Sequence, residues 1–237
     1  MPRRIHVDLV QPGRVVLPAA GAHHARDVLR LAEGAEVEVF DDGGRVGAGR
    51  LVEVSAGRVV VEVDVVSERA VAVKLTIASA VPKGQRADWM VEKLAELGVM
   101  RFVPLATARS VVHPEGRGKL DRWRRLATEA ARQSGSRVMQ IDELTPLAQA
   151  IAQWQAQGVP GWFCATEVDA QPLASMARVP AAWCFIGPEG GWTDAEIQQV
   201  KAAGLVPVRL TQSVLRIETA AIVAAGLVSC DQSAVGR

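Results

Sequence analysis

The chain has no tyrosine, 4 phenylalanines, 3 cysteines and 4 histidines among 237 residues. An aromatic content of 4% leaves little material for a base-stacking platform. Cys164, Cys184 and Cys230 are odd in number and widely spaced, with no CxxC pair and no histidine at ligand spacing. That pattern argues against a disulfide framework and a zinc site, and fits small buried hydrophobes in a reducing cytoplasm. His23 and His24 are adjacent, so they do not share a helix face as ligands at i and i+4 would; no metal is expected. No run reaches the ~18 apolar residues of a membrane span, and Met1 to Asp8 is not followed by a signal-like apolar stretch. A cytoplasmic chain with no membrane segment is expected.

Net charge is also nearly absent, with 27 Lys and Arg against 26 Asp and Glu. The balance hides a segregation. Residues 1–72 hold 9 bases and 11 acids, residues 73–145 hold 13 and 8, and residues 146–237 hold 5 and 7, leaving a net +5 in the middle third. Arg122, Arg124, Arg125 and Arg132 lie on the polar side of one helical stretch there, with Arg109 and Arg137 flanking it. A basic cluster of this kind fits an anionic partner held through phosphates; for any one of these arginines the alternative is a solvated face.

What is present reads as two segments meeting near residue 70. Residues 35–40 alternate and end in Asp41-Asp42-Gly43-Gly44, a hairpin signal, and 46–54 and 58–66 continue as strands. With a helical spacing over 23–31 (Ala25, Val28, Leu29), the first 70 residues outline a small β-barrel. Beyond them strands at 71–81, 99–105, 161–165, 182–186 and 205–210 alternate with helices at 88–97, 119–133, 146–157 and one opened by Thr193-Asp194-Ala195-Glu196, a capping-box pattern. A final helix starts near Glu218. This order predicts an α/β fold with a parallel sheet whose ligands collect at the strand C-termini.

Two loops stand at such positions. Gly187-Pro188-Glu189-Gly190-Gly191 follows the strand ending at Ile186, and Thr211 to Ala220 follows the strand ending at Leu210. Adjacent glycines allow a loop to grip a flat ring with main-chain groups, or simply to turn. GxGxxG at the first α/β strand, GxxxxGK[ST] and GxSxG are all missing, which removes support for a dinucleotide site, a P-loop and a hydrolase elbow. Glu189 would repel a phosphate and suits a cationic ligand such as a sulfonium.

Ile186-Gly-Pro-Glu-Gly-Gly191, the Thr-Asp-x-Glu-Ile helix and Val214-Leu-Arg-x-Glu-Thr-Ala220 together resemble the C-terminal signature of the RsmE family. Lys83-Gly84, Glu96-Leu97-Gly98-Val99, Arg109-Ser110, the 122–134 segment, the stretch from His24 to Arg30 and the Asp-Gly hairpin extend the likeness over nearly the whole chain. The family comprises SPOUT-class methyltransferases that modify N3 of a uridine in 16S ribosomal RNA of the small subunit. The resemblance implies a PUA-like RNA-binding barrel over 1–70 and a methyltransferase domain over 71–237 with a C-terminal trefoil knot. It also implies S-adenosyl-L-methionine as cofactor and a homodimer. The chain departs from the family after Gly135, where Ser136-Arg137-Val138-Met139 replaces an Arg followed by a Pro, and at Ile217. A tRNA-directed SPOUT enzyme and a non-catalytic assembly factor are the rival readings.

The resemblance places the cofactor against Thr166, Glu167, Ile186, Gly187, Pro188, Glu189, Gly190, Gly191, Leu210, Ser213, Leu215, Thr219 and Ala220. RNA contacts are expected from Arg30, Lys83, Arg109, Arg122, Arg124, Arg125 and Arg137. The catalytic candidates are Arg216, Arg109 and Glu218. Arg216 either stabilises charge near the cofactor or supports the loop through an ion pair with Glu218 or a carbonyl contact; Glu218 either accepts a proton or caps the last helix.

Overall fold

The computed structural model describes residues 3–68, 73–112, 117–165, 170–176 and 178–230. The chain divides into two compact units: Met1–Ala70 with Ala131–Val138, and Val71–Ala130 with Met139–Arg237.

In the first unit, β1 (Arg3–His6), β2 (Gly13–Val16), β3 (Glu36–Phe40), β4 (Arg45–Val54) and β5 (Val59–Glu68) form a sheet ordered β1-β3-β4-β5-β2. All pairings are antiparallel except β1 with β3. Alternation along these strands sends Ile5, Val15, Val37, Val39, Leu51, Val61 and Val63 into one core. A short helix α1 (Ala19–His23) passes directly into a π-turn over His24–Val28. The wider turn shifts the helical register, so of the helically spaced Ala25 and Val28 the first is buried and the second is 58% exposed.

Asp41 shows how the hairpin signal becomes structure. It is 2% exposed, and its carboxylate accepts from Val10 N, Arg45 N and Arg45 Nε at 2.9–3.0 Å, tying the turn to both flanking segments. Burial alone would raise this carboxyl, but the amide bonds and Arg45 hold it below its ordinary 3.8. Asp41→Ala is expected to cost about 1–3 kcal/mol in denaturant unfolding of the full chain, because it orphans buried amides. A depressed folded pKa contributes stability above the unfolded value that is lost as pH falls through the folded one. The wild-type advantage over Asp41→Ala should therefore be intact above pH 3.8 and shrink on further acidification.

Residues 131–138 join this unit through named bonds. Arg4 donates to the carbonyls of Ser134 and Gly135 at 3.0 and 3.2 Å, Arg132 Nη2 lies 2.9 Å from Asp42 Oδ2, and Arg137 Nε donates to Gly43 O at 2.8 Å. Asp42, which burial would raise, is held low by Arg132 and by His6.

The second unit contains β6 (Lys74–Ser79), α2 (Gln85–Glu96), β7 (Arg101–Ala106), α3 (Arg117–Ser134, whose last turn belongs to the first unit), β8 (Gln140–Ile141), β9 (Thr145–Pro146), α4 (Leu147–Gln155), β10 (Gly161–Cys164), β11 (Gln171–Pro172), β12 (Ala181–Ile186), α5 (Asp194–Ala202), β13 (Val206–Arg209) and α6 (Ile217–Ser229). The sheet is parallel with order β11-β13-β10-β12-β6-β7-β8, and β9 pairs β7. Because both faces are covered, β12 reads as an unbroken apolar run, Ala182-Trp-Cys-Phe-Ile186, all buried. Ile77, Trp162 and Cys184 pack on one side with Met90, Leu94, Trp123 and Ala221. Ala78, Phe163 and Phe185 pack on the other with Leu147, Ile151 and Val200. Ala87, Met90, Val91, Leu94 and Ala95 give α2 its buried stripe at helical spacing.

The cysteines correct an expectation. Only Cys184 is fully buried, while Cys164 is half-buried and Cys230 is exposed at the end of α6. The Cys184 thiol is pushed up by its contact with Cys164, Sγ to Sγ 3.8 Å, and by burial, so it stays protonated. Among the described residues no helix is long and apolar enough to cross a membrane, and no cluster of three or more metal-ligating side chains occurs.

Candidate active site

The parallel order puts the C-terminal ends of β10, β12 and β13 side by side, and a cleft of about 680 Å³ opens there. From the sequence-based set, Ile186, Gly187, Pro188, Glu189 and Gly191 line it on one side, and Leu210, Ser213, Leu215 and Ala220 on the other. Gly190 and Thr219 are not lining residues; Thr166 and Glu167 lie outside the described residues. The sequence reading missed the floor, Phe163-Cys164-Ala165, and Trp192, although the end of a strand at 161–165 was the signal that could have found it.

Two glycines of the loop have separate physical reasons. Gly191 has φ +71°, and its N–H closes a turn onto Pro188 O at 2.8 Å. At Gly187 a Cβ would stand 2.8 Å from Trp192 Cε2. That indole cannot easily retreat, because its Nε1 donates to Cys164 O at 3.0 Å, bridging the β12 loop to the end of β10.

The expected capping box at the start of α5 is formed: Thr193 Oγ1 accepts from Glu196 N at 3.2 Å, and Glu196 Oε2 accepts from Thr193 N at 2.9 Å. The last helix is started differently. Arg216 is its N-cap residue without a side-chain cap bond, and Glu218, 4% exposed, sits in the first turn. An acidic group there is favoured by the helix dipole. Glu218 Oε1 lies 3.6 Å from Arg86 Nη1, and its Oε2 is buried with no hydrogen-bond partner among the described residues. Arg216 therefore does not pair with Glu218. Its side chain makes no hydrogen bond or ion pair among the described residues, and it stands exposed between the cleft-lining Leu215 and Ile217.

The remaining arginines are more committed. Arg109 Nη1 donates to Gly190 O at 2.7 Å. Arg122 is 2.8 Å from Asp88, Arg124 is 3.2 Å from Asp121, and Arg125 donates to the Asp121 carbonyl at 3.3 Å. These four side chains remain exposed, as do Arg30 and Lys83. Trp123 is core, donating to Asp88 at 2.8 Å, whereas Trp89 is 47% exposed.

This arrangement has known counterparts. Residues 69–229 match the family model for an RNA methyltransferase domain, and residues 17–64 match that for an RNA methyltransferase PUA domain. The fold and cleft thus define an S-adenosylmethionine-dependent RNA methyltransferase with an attached PUA domain. The ribosomal RNA small subunit methyltransferase E of a Synechocystis strain is 34% identical over 220 residues, 89% of this chain and 71% of that protein. Its Bacillus subtilis counterpart is 30% identical over 226 residues, covering 87% and 86%. The chain belongs to this family, RsmE. The enzyme of that name from Neisseria gonorrhoeae, solved with S-adenosyl methionine, superposes with a TM-score of 0.75 at 27% identity, covering 95% of both chains. A methyltransferase from Legionella pneumophila, also holding the cofactor, gives 0.74 at 28% identity, covering 99% and 98%.

Proposed function

We propose that the chain transfers the methyl group of S-adenosylmethionine to N3 of one uridine in 16S ribosomal RNA, acting in the cytoplasm. The observation that carries this reading is the cleft at the ends of β10, β12 and β13 with the uncommitted Arg216 at its edge. The cleft fits the cofactor: it offers backbone groups of two loops, an apolar floor and the Glu189 carboxylate, which suits a sulfonium. When bound, the cofactor supplies an electrophilic methyl group.

The residues of the chain do the rest. Uridine N3 carries a proton at neutral pH; it passes to bulk water as the N3–methyl bond forms and the sulfur–methyl bond breaks, and negative charge spreads to O2 and O4 as it leaves. Arg216 stabilises that charge electrostatically, as a hydrogen-bond donor and not as a base. The two loops hold donor and acceptor in line, which supplies much of the rate. Glu218 is turned to Arg86 and does not line the cleft, so it serves the start of α6 more directly than it serves the base.

Residues 1–70 serve as the PUA-like RNA-binding domain and 71–237 as the methyltransferase domain. The return of α6 against α2 and β6 after β13, the strand between β11 and β10, fits a trefoil knot. The half-buried Ile222, Val223, Leu227 and Val228 on α6 suit a homodimer contact. RNA is held mainly through phosphates, with the uridine drawn from its stack at a cost of a few kcal/mol.

Calorimetry of the full chain with S-adenosylmethionine tests the cofactor reading: saturable binding, competed by S-adenosylhomocysteine, is expected, and absence of heat and competition would refute it. Replacing Arg122, Arg124 and Arg125 together by Ala should weaken RNA binding, lower its salt slope by about 2, and spare cofactor affinity. An unchanged slope would move the RNA surface elsewhere.

A further inference from the structure

The loop after β7, Thr107 to Ser110, is closed on itself: Ser110 N donates to Thr107 O at 3.1 Å, Thr107 N to Ser110 Oγ at 3.2 Å, and the two hydroxyls stand 2.8 Å apart. It is also fastened at two points, to the cofactor loop and to the start of α5 that follows it. Arg109 Nη1 donates to Gly190 O at 2.7 Å and lies 3.4 Å from Trp192 O. Its stem runs along Gly190, where a Cβ would come within 3.3 Å of Cδ. The second fastening is Glu196, 8% exposed, whose Oε1 accepts from Ala108 N at 2.8 Å while Oε2 accepts from Thr193 N and Oγ1 at 2.9 and 3.0 Å.

We infer that Arg109 and Glu196 are positioning residues that clamp the Gly187–Trp192 loop in its cofactor-holding shape by docking it on the 107–110 turn. The inference rests on the cofactor reading above and deepens it. Glu196 needs to be a carboxylate: it accepts three donors with two oxygens, and the amide of a glutamine would turn an N–H toward one of them. Arg109 supplies what a free loop lacks, a donor that ties two of its carbonyls at once. Such preorganisation lowers the ordering cost of binding, so losing it weakens cofactor affinity even when no RNA is present.

The discriminating experiment uses the full chain carrying Arg109→Ala, Arg109→Lys, Glu196→Gln, or Arg109→Ala with Glu196→Gln. Hydrogen exchange of the 187–192 amides in the free protein should rise about tenfold in Arg109→Ala and Glu196→Gln with the global unfolding midpoint retained. Calorimetry with S-adenosylmethionine should show about a tenfold weaker Kd, partial retention in Arg109→Lys, and a double variant no worse than the poorer single one, since loss of either fastening alone frees the loop from the 107–110 turn. If Arg109→Ala binds the cofactor normally and loses only kcat or RNA affinity, Arg109 touches the substrate and the clamp is overturned. Unchanged amide exchange would also overturn it. If the wild type took no cofactor, the cofactor reading would fall, while the exchange result would still decide the clamp.

Discussion

Arg216→Ala should lower kcat for RNA methylation by about 10²–10³-fold, the loss typical of removing one preorganised charge stabiliser. The reason lies in what Arg216 does not do. Arg109, Arg122, Arg124, Arg125, Arg132 and Arg137 each donate to a carbonyl or face a carboxylate, whereas Arg216 has no such partner among the described residues. Glu218, its nearest acidic neighbour in sequence, is paired with Arg86. An exposed guanidinium flanked by two cleft-lining residues can meet charge that develops only in the transition state, and its loss should fall on kcat. Cofactor affinity, measured by calorimetry, should stay at the wild-type value because Arg216 does not line the cleft. Arg216→Lys keeps the charge without the planar fork, so partial activity is expected. Full activity in Arg216→Ala would remove this residue from the chemistry.

Gly187→Ala should weaken S-adenosylmethionine binding by about five- to 150-fold, the affinity equivalent of a forced overpacking of about 1–3 kcal/mol. One methyl suffices because the added carbon would sit 2.8 and 3.0 Å from Trp192 Cε2 and Nε1. The indole is anchored to Cys164 O, so the strain passes either to the glycine loop or to the floor of the cleft. Both are cofactor-facing in the proposed mechanism. Calorimetry alongside circular dichroism checks this: a folded variant with wild-type affinity would mean that the loop does not hold the cofactor.

Features set by neighbours in sequence were legible before any coordinates. Asp41 to Gly44 is a hairpin turn because its residue types favour one, and Thr193 with Glu196 caps α5 because the pairing is local. The apolar run at 182–186 and the stripe of α2 follow from burial on two faces or one. The glycine loop and the 210–220 segment converge as the strand-end rule predicts. Partner choice across long separations was not legible. Nothing near Glu218 points to Arg86, 132 positions earlier, and nothing near Arg109 points to Gly190. Likewise Arg132 and Arg137 look like free cations in a basic stretch until Asp42 and the Gly43 carbonyl are brought to them. The net +5 of the middle third is thus partly offset by a carboxylate outside it, Asp42. The exposed Arg122, Arg124 and Arg125 are the members of the cluster proposed to contact phosphates.

Nucleoside mass spectrometry of 16S ribosomal RNA tests most directly whether this chain methylates N3 of a uridine in the small-subunit RNA. RNA from a strain lacking the gene should contain no 3-methyluridine, with the modification restored by the wild-type chain and not by Arg216→Ala. Persistence of 3-methyluridine in the deletion strain would contradict the assignment.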